Sequence, residues 1–109
     1  MKEFILLVRV PSDYNKAQAE AVNPEWIKVT DKWKKDQRWV TSFVFPGESY
    51  VVSGAERSAR KDTVFAGNLK LVSNIILFAE DFEDALKLAG DCPILNYGGS
   101  VEVREVPPR

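Results

Sequence analysis

Few residues of this chain could carry acid–base or nucleophilic chemistry. Its 109 residues include no histidine and a single cysteine, Cys92. Nucleophilic catalysis needs a Ser, Cys or Thr beside an oriented base, and histidine is the usual base. Cys92 follows a predicted helix and precedes Pro93, a setting typical of a buried, unreactive thiol. Asp62 is therefore our candidate catalytic residue, provided that burial raises its pKa.

Basic residues stand close to Asp62 in the sequence. Arg57, Arg60 and Lys61 could bind a phosphate or a carboxylate, and a solvated loop is the simpler interpretation. Arg9 and Asp62 are the polar groups that we expect in an otherwise apolar cleft. Such a cleft would hold a small apolar or acidic molecule, and we predict Arg9 and Arg60 as ligand-binding residues.

The sequence indicates neither a metal nor a cofactor. Without histidine, and with one cysteine, only carboxylate sites remain for a metal ion. Asp81, Glu83 and Asp84 form the tightest acidic group. Acidic side chains are common at the N-terminus of a helix, where they cap it and favour its dipole, so we interpret this group as a cap.

Composition and charge narrow the class of protein. Hydrophobic residues make up 45% and charged residues 28% of the chain, which is typical of one globular domain spanning residues 1–109. The net charge of −1 gives no general attraction to nucleic acid or anionic lipid. The apolar runs at residues 4–8 and 75–79 are far shorter than the ~20 residues of a membrane span. One thiol and no recognisable signal peptide predict a cytoplasmic location.

The order of elements that must position these residues is β-α-β-β-β-α-β. We predict strands over residues 4–10, 39–45, 50–53, 71–79 and 101–104, the second and third forming a hairpin. Residues 12–23 are predicted as loop or a weak helical turn, and residues 54–62 as loop. A first helix begins at Asn23-Pro24 and ends near Gln37, and a second spans residues 81–89, capped by Asp81 and closed by Gly90.

The periodicity of both helices predicts which side chains face the sheet. Trp26, Val29, Thr30 and Trp33 fall on one stripe of the first helix. The second helix presents Phe82, Ala85, Leu86 and Ala89. We predict that Trp33 and Phe65 line a ligand cavity between the first helix and the loop leading into residues 62–65.

Both long strands, residues 4–10 and 71–79, are apolar on both of their faces. Two helices are too few to cover both faces of such a sheet, so we expect them to pack on one face. The other face then needs a partner, and a second copy of the chain is the simplest one. The sequence therefore predicts a homodimer.

Three segments of the second half carry a family likeness. Asp62-Thr63-Val64-Phe65 takes the place of an Asp-Gly-Pro-Phe motif, and Cys92-Pro93 and residues 99–104 (GSVEVR) follow in order. In these features the chain resembles the YCII-related (DGPF-type) family of small α+β proteins, in motif detail over residues 60–106. The resemblance implies a ferredoxin-like dimeric α+β barrel, an antiparallel sheet with two helices on one face.

The chain departs from the family pattern at the residues that bear on chemistry. Thr63 and Val64 replace the Gly and Pro of the motif, and Gly67 stands where an acidic residue is common. One branch of the family is thought to use His with Asp, and this chain has no His. The resemblance therefore implies a small-molecule-binding or cofactor-independent, enzyme-like protein. The alternatives are a non-catalytic dimeric binding module and a related barrel of the monooxygenase type.

Overall fold

A computed structural model describes residues 1–45, 47–62 and 65–108, and for Phe65 and Ala66 it describes the backbone alone. Within these residues, two α-helices, seven strands and one 3₁₀ helix follow one another. In order these are β1 (Lys2–Pro11), α1 (Lys16–Lys35), β2 (Trp39–Val44), β3 (Tyr50–Ser53), β4 (Ser58–Lys61), β5 (Phe65–Ala66), β6 (Leu69–Ala79), α2 (Phe82–Ala89), the 3₁₀ helix (Pro93–Tyr97) and β7 (Ser100–Val106).

Four strands form the main sheet, in the order β2-β6-β1-β7, and all neighbours are antiparallel. The short β5 pairs with the start of β6. β3 and β4 form a separate hairpin, residues 50–61, called the arm below. The described part of the single chain is thus an α+β fold with an open sheet rather than a closed barrel.

Both helices lie on the same face of the sheet, as the sequence predicted. Trp33 of α1 and Ala89 of α2 belong to one buried cluster with Leu6 of β1 and Leu77 of β6. Because side chains alternate along a strand, every second apolar residue of β1 and β6 enters this core. Ile5 and Leu7 of β1 and Ile76 of β6 lie on the opposite face, called the open face below. Val72, opposite the register shift between Val8 and Arg9, packs against the core cluster.

The predicted start of the first helix was wrong. The helix begins at Lys16 with Asn15 as its N-cap, and it continues through Pro24 to Lys35. Asn15 and Gln18 form a capping box, in which each side chain bonds the other residue's backbone N–H, at 3.0 and 3.1 Å. The Asn23-Pro24 pair predicts a helix start, but the capping box at Asn15 begins the helix earlier. The helix continues through Pro24 although proline removes one backbone hydrogen bond and crowds the carbonyl four residues before it.

The predicted hairpin between the second and third strands was also wrong. β2 pairs with β6, and β3 pairs with β4, which lies in a segment predicted as loop. A turn with positive φ at Gly54 and Arg57 reverses the chain between them. The sequence SARK of β4 carries no large apolar residue, so periodicity gave no strand signal there.

The second helix agrees with its prediction at both ends. Asp81 accepts the N–H of Asp84 over 2.9 Å, and Gly90 is the C-cap. Ala85 and Ala89 are buried as expected, and Phe82, although half-exposed, packs edge-to-face on the core residue Phe4 with ring centroids 5.0 Å apart. Leu86 is largely exposed, which corrects its predicted place on the inner face. Small side chains at Ala85 and Ala89 let this short helix lie close to the sheet, and the larger ones remain at its margin.

Candidate functional site

The open face of the sheet carries the buried polar side chains of the described residues, Arg9 and Asn74. Its centre is Leu7 of β1, which pairs with Glu102 on one side and Asn74 on the other. Asn74 pairs in turn with Phe43 of β2. Directly paired residues share a face, so these four side chains form one row across the sheet.

Arg9 belongs to the same face, because its guanidinium bonds the side chain of Glu102. Arg9 Nη1 lies 2.6 Å from Glu102 Oε1, and Arg104 Nε lies 2.5 Å from Glu102 Oε2. These hydrogen bonds, first that of Arg104 and then that of Arg9, lower the pKa of Glu102. The three side chains together carry a net charge of +1.

Two polar atoms of this face are buried without a partner. Arg9 is 7% exposed and Asn74 is 3% exposed. Within the described residues, neither Arg9 Nε nor Asn74 Oδ1 has a hydrogen-bond partner. A buried donor or acceptor left unpaired costs about 1–3 kcal/mol, so such atoms are rare unless a further group satisfies them.

Apolar side chains surround this polar group. Ile5 pairs with Ile76 in the next row, and both are only partly buried, as is Leu7. Phe43 is largely exposed at the β2 edge. The arrangement is a guanidinium and an amide oxygen at the floor of an apolar surface, which suits a small molecule with one charged end.

A cleft of about 270 Å³ lies on the other side of the sheet, between α1 and the strands β2 and β6. Its helical wall consists of Asn23, Trp26 and Thr30, and its strand wall is formed by residues of β2 and β6, namely Ser42, Phe43, Val44, Ser73, Asn74 and Ile75. The cleft therefore shares α1 with the predicted ligand cavity, but its second wall is the sheet.

The predicted site residues lie in three different places. Arg9 is on the open face. Trp33 is fully buried in the core between α1 and the sheet, and its indole N–H has no partner within the described residues. Arg60 and Asp62 lie at the base of the arm, where Arg60 Nε is 3.0 Å from Asp62 Oδ2.

Hydrogen bonds also fix the backbone at Asp62. Its N–H donates to the carbonyl of Ser49 over 3.0 Å, and the Ser49 hydroxyl donates to the carbonyl of Asp62. These bonds close the arm at its base. Of the other motif residues, Thr63 and Val64 lie outside the described part of the chain, as does the predicted cavity-lining side chain of Phe65.

The sequence analysis did not identify Asn74 as a site residue, and it did not identify the ion pairs that Glu102 forms with Arg9 and Arg104. Asn74 interrupts an apolar strand, and an amide at such a position needs a partner that the strand pattern does not supply. Arg9 likewise stands in an apolar strand and needs a counter-ion. A search for that counter-ion among strand carboxylates would have pointed to Glu102.

The remaining reactive groups offer little chemistry. Burial, and to a lesser extent the charge of Asp91, raises the pKa of the Cys92 thiol to about 12. Among the described residues, no three acidic or cysteine side chains are grouped closely enough to hold a metal ion. No helix in this part of the chain is long and apolar enough to cross a membrane.

The sequence matches no protein-family model, and no curated protein is significantly similar to it.

Proposed function

We propose that this chain forms a homodimeric, ferredoxin-like α+β barrel of the YCII-related type that binds a small acidic molecule on its open face. The observation that carries the proposal is the buried guanidinium of Arg9 with its unpartnered Nε, on the same face as the unpartnered Oδ1 of Asn74. Without the arm and β5, the elements follow a β-α-β-β-α-β order, which is the ferredoxin-like pattern and supports this assignment.

The dimensions of the chain support dimer formation. A compact protein of 12.3 kDa exposes about 6,100 Å², whereas this chain exposes 7332 Å². The difference of roughly 1,200 Å² exceeds the ~800 Å² per partner of a standard interface. The radius of gyration, 15.2 Å, is also larger than the ~13 Å expected for this length. Burial of the open face against a second copy would remove much of this excess.

The ligand is defined by the groups that it would satisfy. A carboxylate can accept the N–H of Arg9 Nε, and the net charge of +1 on the cluster of Arg9, Glu102 and Arg104 favours an anion. A hydroxyl or N–H group on the ligand would donate to Asn74. An apolar or aromatic body would pack on Leu7 and Phe43. Both unpartnered atoms are enclosed, so binding requires a side chain above them to shift.

Binding without catalysis has the stronger physical support. The carboxylate of Glu102 is held in its ionised form by two guanidinium groups, which suits an anchor for Arg9 rather than a proton donor. Cofactor-independent turnover with Asp62 as the acid–base residue is the second candidate. It would require a substrate atom to reach the base of the arm.

Titration with matched pairs of small acids and amides tests the proposal. Benzoate and phenylacetate are compared with benzamide and phenylacetamide by isothermal calorimetry and by shifts of backbone amide signals. We expect the acids to bind, with shifts at Leu7 and Asn74, and Arg9→Met to weaken them at least about tenfold through loss of a charged hydrogen bond.

Arg38→Met is the matched control. Arg38 forms an ion pair of the same length, 2.6 Å, with Asp84 at the margin of α2. This variant should bind the acids as the unmodified protein does. Equal affinity of acids and amides, or full binding by Arg9→Met, would contradict the proposed site.

A further inference from the structure

The arm has two different faces. The strand pairs are Tyr50 with Lys61 and Val52 with Ala59, so these residues share one face, called the apolar face of the arm below. Tyr50 is 60% exposed and Val52 is 64% exposed. The opposite face carries Val51, Ser53, Ser58 and Arg60. The apolar face of the arm therefore stands in water although its composition suits a buried surface.

A hairpin in this state gains little stability from the rest of its own chain. Isolated two-stranded hairpins are marginal in water, and they persist when a hydrophobic face packs on another element. The arm is joined to the body at the bonds between Ser49 and Asp62. It projects from a chain that measures 46 Å in its longest dimension and 20 Å in its shortest.

We infer that the arm packs across the open face of a second copy and forms one wall of that copy's ligand site. This inference depends on the proposed function, since it concerns the same dimer and the same site. By two-fold symmetry each copy would contribute one arm and receive one. A site on the open face would then be incomplete in a single chain.

The dimensions of the arm fit this role. Strands of four residues are about 13 Å long, and the distance across four paired strands is roughly 14 Å. One arm can therefore span the open face from edge to edge. The arm leaves the sheet after β2, whose last residue, Val44, pairs with Ser73. Arg9 pairs with Leu71 at the same end of β6.

The charge of the arm also favours a second copy as the partner on which the arm packs. The arm contains three basic residues, Arg57, Arg60 and Lys61, and one acidic residue, Glu56. Its net charge is +2, and since the whole chain has a net charge of −1, the rest carries −3. The arm of one copy and the body of another therefore attract each other as they approach, which favours association, while the cluster of Arg9, Glu102 and Arg104 on the open face itself carries +1.

A pair of lysine substitutions tests the contact. Val52→Lys places a charge on the apolar face of the arm, and Ser53→Lys places the same charge on the opposite face of the same strand. Because each dimer contains two arm contacts, we expect Val52→Lys to raise the dimer dissociation constant by about 100-fold in sedimentation equilibrium. Ser53→Lys should leave it within about threefold.

A spin label on the arm identifies which surface of the second copy the arm contacts. This measurement does not require a variant with weakened dimerisation. Ala55→Cys, at the tip of the arm, is labelled with a nitroxide in a Cys92→Ser background. It is mixed with ¹⁵N-labelled protein that carries no nitroxide. Broadening of the ¹⁵N signals then reports contacts between copies alone. We expect strong loss of signal at Leu7 and Ile76 of the open face and little at α2.

The outcomes separate this inference from the proposed function. Dimers that bind benzoate through Arg9, but show no broadening on the open face, would overturn the arm contact and leave the proposed function intact. A monomer at all concentrations that also fails to bind the acids would overturn both. Broadening on the open face together with weaker dimers for Val52→Lys than for Ser53→Lys would establish the contact.

Discussion

Arg9 on β1 and Glu102 on β7 form an ion pair of 2.6 Å on the face of the sheet that no helix covers. The guanidinium is almost fully enclosed, whereas Glu102 is partly accessible and also bonds Arg104. Taking a charge out of water is costly unless it is paired. Glu102 therefore makes the burial of Arg9 possible, and it holds the guanidinium over the open face.

The first prediction follows from the unequal burial of the Arg9 and Glu102 side chains. Glu102→Gln should lower the free energy of unfolding, because it leaves the enclosed Arg9 without a full counter-charge. Arg9→Met should leave stability within about 1 kcal/mol of the unmodified protein or raise it, since a hydrophobic chain replaces an ion with an unpaired N–H. Urea unfolding at pH 7 measures both. A larger loss for Arg9→Met than for Glu102→Gln would contradict this account.

The second prediction concerns the loss of folding stability at acidic pH. The pKa of Glu102 is lowered by Arg104 and Arg9, and that of Asp84 is lowered by the backbone N–H of Glu80 and then by Arg38. A carboxylate with a lowered pKa in the folded state adds stability above its unfolded pKa. That stability disappears as the pH falls through the folded pKa.

The free energy of unfolding should therefore decrease from about pH 5 downwards. Asp84→Asn and Glu102→Gln should each reduce the difference between pH 6 and pH 3, measured by urea unfolding at both values. If both variants retain the full difference, other groups control the acid transition.

The third prediction separates the two possible starts of the first helix. Asn15→Ala should destabilise the protein by about 1 kcal/mol because it removes the capping box. Asn23→Ala should change stability by less than about 0.5 kcal/mol, since Asn23 is exposed within the helix. Thermal and urea unfolding of both variants provide the measurement. The opposite ranking would place the effective cap at Asn23.

The helix and strands that could be predicted from the sequence are those whose pattern of apolar residues determines which side chains are buried. β1, β6 and α2 are long or strongly periodic, and their side chains fill the core, so burial selects one arrangement for them. The homodimer remains a prediction for the same reason, since it concerns apolar residues that the single chain leaves uncovered.

Elements without such a pattern were missed. Four exposed residues, SARK, form β4 because the turn at Gly54 brings them beside β3. The pairing of Arg9 with Glu102 joins residues 93 positions apart, so only the register between β1 and β7 could reveal it. The predicted set of Arg9, Trp33, Arg60 and Asp62 combined residues of the open face, the core and the arm.

The fourth prediction concerns the reactivity of Cys92. The side chain is 2% exposed, and burial together with Asp91 raises its pKa to about 12. Since the thiolate is the reactive form, Ellman's reagent at pH 8 should label native protein only as fast as the protein unfolds. Labelling should become immediate in 6 M guanidinium chloride. Rapid labelling of the native state would show that the thiol is accessible.

The final prediction concerns the turn that leads into β7. A Cβ added at Gly99 would lie 2.6 Å from the carbonyl oxygen of Arg9 and 2.7 Å from Cγ1 of Ile94. Neither neighbour can move freely, because one is strand backbone and the other is a buried core residue. Gly99→Ala should therefore cost about 2 kcal/mol, as overpacked cores do, and it should push β7 away from Arg9.

Gly47→Ala is the matched control for this substitution, since a Cβ at Gly47 meets no atom within 4 Å. Its effect on the free energy of unfolding should stay within about 0.5 kcal/mol. The displacement of β7 by Gly99→Ala should also shift the side-chain guanidinium signals of Arg9 and Arg104 in NMR spectra. A stable Gly99→Ala variant with unchanged Arg9 signals would show that the turn does not set the distance between Arg9 and Glu102.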